Sequence, residues 1–105
     1  GACVAGMPVK DTIKISDGDG YADVTPPRSR VWMVQTPQVF AYSCIKDAYD
    51  KLIADGRIDV TDDAMVLECM TGQKTKLTLG SYENIKITTP EDLEIAEVFA
   101  ARLSV

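Results

Sequence analysis

The chain opens on an almost unbroken apolar run, Ala2, Cys3, Val4, Ala5, Met7 and Val9, with no charged residue before Lys10. A short continuous run of this kind predicts a strand covered on both faces, the interior of a larger sheet. The next stretch changes character. Asp11-Thr12-Ile13-Lys14-Ile15 and Tyr21-Ala22-Asp23-Val24-Thr25 alternate polar and apolar positions around Asp17-Gly18-Asp19-Gly20, a sequence rich in turn formers. This predicts a two-stranded ribbon. It carries few apolar residues and two-stranded ribbons are marginal alone, so it is expected to project and to lean on a partner surface. Pro26-Pro27 ends the ribbon. Val31-Trp32-Met33-Val34 is expected as a buried strand stopped by Gln35-Thr36-Pro37-Gln38. From Tyr42 to Ala54, Cys44, Ile45, Ala48, Tyr49, Leu52 and Ile53 recur at helical spacing, with Gly56 as the stop. Thr61 is the expected N-cap of a second helix, with Asp62 and Asp63 in its first turn and Gly72 beyond its end. Lys76 to Leu79 and Ile85 to Thr88 have the character of short strands. A last helix starts at Thr89-Pro90-Glu91-Asp92 and gathers Leu93, Ile95, Ala96, Phe99, Ala100 and Leu103 on one broad face. The order predicts an α/β layout carrying an arm.

A length of 105 residues fits one domain, and 46% hydrophobic residues are enough to build a modest core. The net charge of −5 argues against a duplex nucleic-acid partner, which needs a clustered basic face. No run approaches the length of a membrane span and no signal peptide opens the chain, so a cytoplasmic protein is expected. Cys3, Cys44 and Cys69 show no paired spacing and are expected as three buried thiols in a reducing compartment. There is no histidine. That removes Ser-His-Asp and Cys-His catalysis, His-ligated zinc and a histidine switch. A calcium loop at Asp17, Asp19 and Asp23 fails, because Ala22 and Arg28 stand where an EF-hand needs glycine and glutamate.

The remaining candidates are cations and carboxylates. Lys86 lies in the apolar stretch Asn84-Ile85-Lys86-Ile87-Thr88, directly before a helix N-terminus, a place where α/β sheets bind anions. The same position also suits an edge-strand lysine facing solvent. Arg28 and Arg30 follow the diproline at the ribbon's base, where a guanidinium could grip a phosphate with two hydrogen bonds or could simply be solvated. Asp62 and Asp63 are ordinary partners of a helix dipole, and no metal site is expected of them.

Five stretches in fixed order carry a family likeness. They are Pro8-Val9-Lys10-Asp11-Thr12-Ile13-Lys14, then Arg28 four residues before Trp32, then Gln35-Thr36-Pro37-Gln38-Val39-Phe40, then Thr61-Asp62-Asp63-Ala64, and last Asn84 to Leu93. With them the chain resembles the 2-C-methyl-D-erythritol 4-phosphate cytidylyltransferases of the non-mevalonate isoprenoid pathway. The likeness runs through essentially the whole sequence but covers only the C-terminal half of that family's chain, and the Gly-rich nucleotide loop belongs to the other half.

The resemblance implies a Rossmann-like nucleotidyltransferase fold and a homodimer joined through a projecting β-arm, here residues 10–28. Thr12 and Arg28 match arm residues that reach the neighbouring subunit's sugar-phosphate site. Lys86 matches a strand-end lysine that positions the methylerythritol phosphate. Arg28 is preferred to Arg30 by its distance to Trp32. The family reaction joins that phosphate to the α-phosphate of CTP, with magnesium, and releases pyrophosphate. Ribitol 5-phosphate cytidylyltransferases share the Gln-Thr-Pro-Gln and Asn-Ile-Lys signals, so the acceptor is open between two sugar-alcohol phosphates. The 105 residues alone build no triphosphate site and are expected to be inactive by themselves. A different class of function also fits the residues: a non-catalytic module whose ribbon pairs subunits while Lys86 stays in solvent.

Overall fold

In a computed structural model the described residues are 1–57 and 59–103. The elements run β1 (Ala2–Pro8), β2 (Ile15–Ser16), β3 (Ala22–Val24), a 3₁₀ turn (Arg28–Arg30), β4 (Trp32–Phe40), α1 (Tyr42–Asp55), α2 (Asp63–Thr71), β5 (Lys76–Leu79) and α3 (Pro90–Leu103). β4, β1 and β5 form a mixed three-stranded sheet in that order, and β2 and β3 form a separate two-stranded one. The apolar run at the start of the chain is therefore the central strand, as its composition predicts. The fold divides into two compact units, one of Gly1–Ala5 with Thr36–Leu79, the other of Gly6–Gln35 with the stretch from Gly80 onward.

The first unit holds most of the apolar burial. Ala48 and Leu52 of α1 meet Val66 and Leu67 of α2, and Phe40, Cys44, Ile45, Tyr49, Val60 and Met70 pack around them. Val4, on β1, is buried as well. Both helices end on a glycine in the left-handed region, Gly56 at φ 68° and Gly72 at φ 69°, which a Cβ would disfavour. The start of α2 differs by one residue from expectation. Asp62, not Thr61, is the N-cap, its carboxylate accepting from the Met65 amide at 2.8 Å. Asp62 is extended while Asp63 is already helical, so only the Asp62 side chain can reach back over the open amides.

The second unit contains the ribbon, the first part of β4, the segment before α3, and α3 itself. The ribbon is antiparallel with Ile15 opposite Val24, and it is shorter than the alternation predicts. Asp17 closes its turn, accepting from the Asp19 and Tyr21 amides at 2.8 and 3.3 Å, while Gly18 and Gly20 take φ near 93° and 94°. Gly6 of β1 lies tight against β4, and a Cβ there would lie 2.8 Å from the Met33 carbonyl oxygen.

Several expectations are corrected. Gln35 to Gln38 do not stop a strand, since β4 runs through them to Phe40. β4 is an edge strand of this sheet among the described residues, a place where a proline is tolerated. Nor is the first part of β4 buried, since Met33 and Val34 are each about half exposed. Ile85 to Thr88 is not a strand. The neighbouring amides of Asn84 and Ile85 make turn bonds to Ser81 and Glu83, and β-branched residues without a ladder partner do not hold a strand. The cysteines are free, but Cys3 and Cys44 are half-buried and Cys69 is exposed. Much of the apolar face of α3 is exposed within the described residues, with Leu93 and Leu103 at 55% and 78%, while Ala96 and Phe99 are half-buried.

Candidate functional site

Thr12, Arg28 and Lys86 all fall in the second unit, together with Arg30. Their surroundings begin at the end of β1. Past Pro8, the Val9 amide donates to the Val31 carbonyl at 3.0 Å, tying together the two strands from which the ribbon emerges. One residue on, the Lys10 carbonyl accepts from Arg28 Nη1 at 2.7 Å. Lys10 and Arg28 are the two ends of the ribbon, so this bond closes its base. Arg28 opens the 3₁₀ turn that follows the diproline, and the Arg30 amide bonds back to the Pro27 carbonyl at 2.9 Å. Among the described residues it is the Arg28 side chain that is tied to the ribbon's other end, a feature that the sequence does not display. A guanidinium carries five N–H donors, so one bond to a backbone carbonyl leaves Arg28 able to grip an anion.

The second segment is the connection from Gly80 to α3. The Gly80 amide donates to the Gly6 carbonyl at 2.9 Å. Tyr82 then turns its hydroxyl to the Pro8 carbonyl at 2.8 Å, and its ring lies under the Lys10 ammonium, 3.8 Å from the centroid. Gln35 holds the same connection from β4. Its amide nitrogen donates to the Ser81 carbonyl at 2.7 Å and its amide oxygen accepts from Asn84 Nδ2 at 3.2 Å. Two residues after Asn84 comes Lys86, exposed, between a half-buried Ile85 and an exposed Ile87. Lys86 is thus at the end of a pinned loop and not of a strand.

Beyond Lys86 the start of α3 is closed by a reciprocal cap. Asp92 accepts from the amides of Thr88 and Thr89 and from the Thr88 hydroxyl at 2.9, 3.0 and 2.9 Å, and the Asp92 amide faces the Thr89 hydroxyl at 3.4 Å. These bonds, that from the Thr88 amide foremost, hold the Asp92 carboxyl below the usual aspartate range. The carboxylate therefore occupies amides that could otherwise meet an anion at this helix start. Side chains such as that of Lys86 are then the better candidates for holding a phosphate beside this helix start.

No hydrogen bond or ion pair among the described residues joins Thr12, Arg28 and Lys86 to one another. Thr12 is exposed on the ribbon. Sequence patterning leaves unassigned the residues that arrange these three: Tyr82, Lys10 as a backbone acceptor and ring partner, and Gln35. The signal that was available lay in Gln-Thr-Pro-Gln, legible as a motif but with no role attached. Its second glutamine works in the other unit. Gln38 donates to Asp62 Oδ2 at 3.0 Å and accepts from the Ala64 amide at 3.3 Å, reinforcing the cap of α2. Asp63 accepts from the Tyr49 hydroxyl, and that bond pushes the Tyr49 phenol above its ordinary range. The two aspartates are thereby employed in structure, and among the described residues no group of three acidic or cysteine side chains assembles as a metal site.

The model of the IspD family, 2-C-methyl-D-erythritol 4-phosphate cytidylyltransferase, matches residues 1–102. The protein of that name from Lachnospira eligens is 57% identical over 99 residues, which are 93% of this chain and 44% of the relative. That from Lachnoclostridium phytofermentans is 51% identical over 96 residues, 91% of this chain and 41% of the relative. Among solved structures, the 4-diphosphocytidyl-2C-methyl-D-erythritol synthase of Anaerococcus prevotii superposes with a TM-score of 0.86 at 40% identity, covering 95% of this chain and 44% of its own. The Thermus thermophilus cytidylyltransferase gives 0.78 at 34% identity, covering 96% and 48%. The chain spans less than half the length of these relatives. A family match over nearly every residue, with a backbone that superposes on solved members, settles the kinship: the chain belongs to the 2-C-methyl-D-erythritol 4-phosphate cytidylyltransferase family.

Proposed function

We propose that this chain is the C-terminal, acceptor-side portion of a cytidylyltransferase that moves CMP from CTP to 2-C-methyl-D-erythritol 4-phosphate. The observation that carries the proposal is that Thr12, Arg28 and Lys86 are exposed on segments anchored at their bases, Arg28 by the Lys10 carbonyl and the loop before Lys86 by Tyr82, so that each is free to meet a phosphate. In the reaction an oxygen of the acceptor phosphate attacks the α-phosphorus of CTP. A new P–O–P bond forms, the bond from the α-phosphorus to the bridging oxygen breaks, and pyrophosphate leaves with the electron pair. Two anions repel as they approach, so the protein's work is positioning and neutralisation. Lys86 supplies a point charge to the acceptor phosphate, and Arg28 a planar fork. Thr12 offers a hydroxyl to the same phosphate.

The ribbon of residues 10–28 serves as the dimer arm, so Thr12 and Arg28 act in the partner's site while Lys86 acts in its own. The exposure of Ile15, Tyr21 and Val24, at 52%, 74% and 48%, supports a ribbon that finds its cover on another surface. Magnesium, which the resemblance implies as a companion of CTP, would neutralise the triphosphate, and no step above runs through it. A cytoplasmic enzyme is the corresponding location, and no helix among the described residues is long and apolar enough to cross a membrane.

The test is acceptor-dependent pyrophosphate release from CTP by the full-length protein, run in parallel with 2-C-methyl-D-erythritol 4-phosphate and ribitol 5-phosphate. Turnover with the first acceptor is expected. Turnover with ribitol 5-phosphate alone would reassign the acceptor, and release with neither would remove the catalytic role.

A further inference from the structure

The three side chains assigned to the acceptor hang from two separate segments, Thr12 and Arg28 from the ribbon and Lys86 from the connection before α3. Tyr82 is the residue that touches both. Its hydroxyl donates to Pro8, the last residue of β1 before the ribbon, and its ring carries the Lys10 ammonium. Lys10 in turn offers its carbonyl to Arg28. On the other side, Ser81 and Asn84 flank Tyr82 and are both held by Gln35, so the chain from 81 to 84 has little freedom before it reaches Lys86. Tyr82 is itself 37% exposed and is not one of the residues of the buried core cluster among the described residues. Its contacts are therefore better suited to setting position than to contributing stability.

We propose that Tyr82 is a positioning residue that fixes the base of the arm to the loop carrying Lys86, and thereby sets how tightly the acceptor phosphate is held. The proposal rests on the acceptor-side role given above. Two separable contacts do this. The ring seats Lys10, whose carbonyl orients Arg28, and the hydroxyl fixes the ring against the end of β1. Removing the whole side chain frees both segments at once. Removing only the hydroxyl leaves Lys10 on its ring and releases one anchor.

The experiment compares full-length wild type, Tyr82→Phe and Tyr82→Ala. In steady-state assays with 2-C-methyl-D-erythritol 4-phosphate, Tyr82→Ala is expected to raise the KM for the acceptor about tenfold while the KM for CTP stays within about twofold. Tyr82→Phe is expected to raise the acceptor KM about threefold, a partial rescue by the retained ring. Amide exchange provides a second measurement that does not depend on turnover. Tyr82→Ala should speed exchange at the Val9 and Asn84 amides together and leave α1 and α2 as they are. An unchanged acceptor KM in a folded Tyr82→Ala protein, equal changes in both KM values, or unaltered exchange at both amides would each overturn the role of Tyr82. A wild type that transfers no cytidylyl group would instead overturn the proposed function, while the exchange measurement would still decide whether Tyr82 couples the two segments.

Discussion

The two units of this chain are held together by different means. In the first, Ala48, Val66 and Leu67 are essentially inaccessible and Leu52 is nearly so, and the helices that carry them end on well-formed caps. In the second, α3 buries no described side chain, and order comes from single polar contacts: Arg28 to Lys10, Tyr82 to Pro8, Gln35 to Ser81. Apolar burial is non-directional and tolerates small shifts, whereas these bonds fail if a donor moves by an ångström. The unit that carries the candidate site is thus the one whose geometry is fixed group by group. Its ribbon and α3 expose apolar side chains within the described residues, as Tyr42 and Ile53 of α1 do in the first unit. Loops that bind are commonly set on a more rigid scaffold, and here the contrast is visible within 105 residues.

The contrast can be broken most directly with a matched pair of substitutions. Leu67→Ala, in the packed unit, should cost about 3 kcal/mol of stability in the full-length protein, read by urea unfolding. Leu93→Ala, on the open face of α3, should cost under about 0.5 kcal/mol if that face stays uncovered there. A large loss at Leu93 would show that another part of the protein packs on α3. The second expectation inverts the readout. Lys86→Ala and Arg28→Ala should each lower turnover at least ~10²-fold, with the unfolding midpoint within error of wild type for Lys86→Ala and only slightly lowered for Arg28→Ala, which loses the bond to Lys10. Loss of activity in proportion to loss of fold would make these residues structural.

Smaller effects sharpen the comparison. Asp62→Ala removes the carboxylate that caps α2 and meets Gln38, and should cost about 1 kcal/mol. The smallest concerns pH. Hydrogen bonding lowers the folded-state pKa of Asp92, so its contribution is present above the unfolded value of about 3.9 and fades as pH falls through the lower folded value. The Thr88 and Thr89 amides should therefore lose protection from exchange only in strong acid. Loss of that protection while the pH is still above 5 would mean that Asp92 does not hold them.

What the sequence discloses and what it hides divide along the same physical line. Gly56, Gly72 and Thr89-Pro90 mark helix ends because capping is decided within a few residues, and Asp17-Gly18-Asp19-Gly20 marks its turn for the same reason. The continuation of β4 through Pro37 and the absence of a strand at Ile85 to Thr88 are invisible locally, since a strand exists only if a neighbour pairs with it. The candidate site follows suit. Lys86 and Arg28 stand out by type and setting, while Tyr82 and Gln35, which fix their segments, are ordinary residues in sequence and acquire roles only through partners 46 to 74 positions away.

The most direct measurement of the central claim, that this polar unit completes an acceptor site with an arm from the partner subunit, is the activity of mixed full-length variants. Arg28→Ala and Lys86→Ala proteins, each nearly inactive alone, are unfolded together and refolded so that subunits exchange. If Arg28 serves the partner's site and Lys86 its own, half of the dimers are mixed and each holds one intact site, so activity returns to about a quarter of wild type. Activity that stays at the level of the separate variants would place both cations in the same subunit's site and contradict the assignment of the arm.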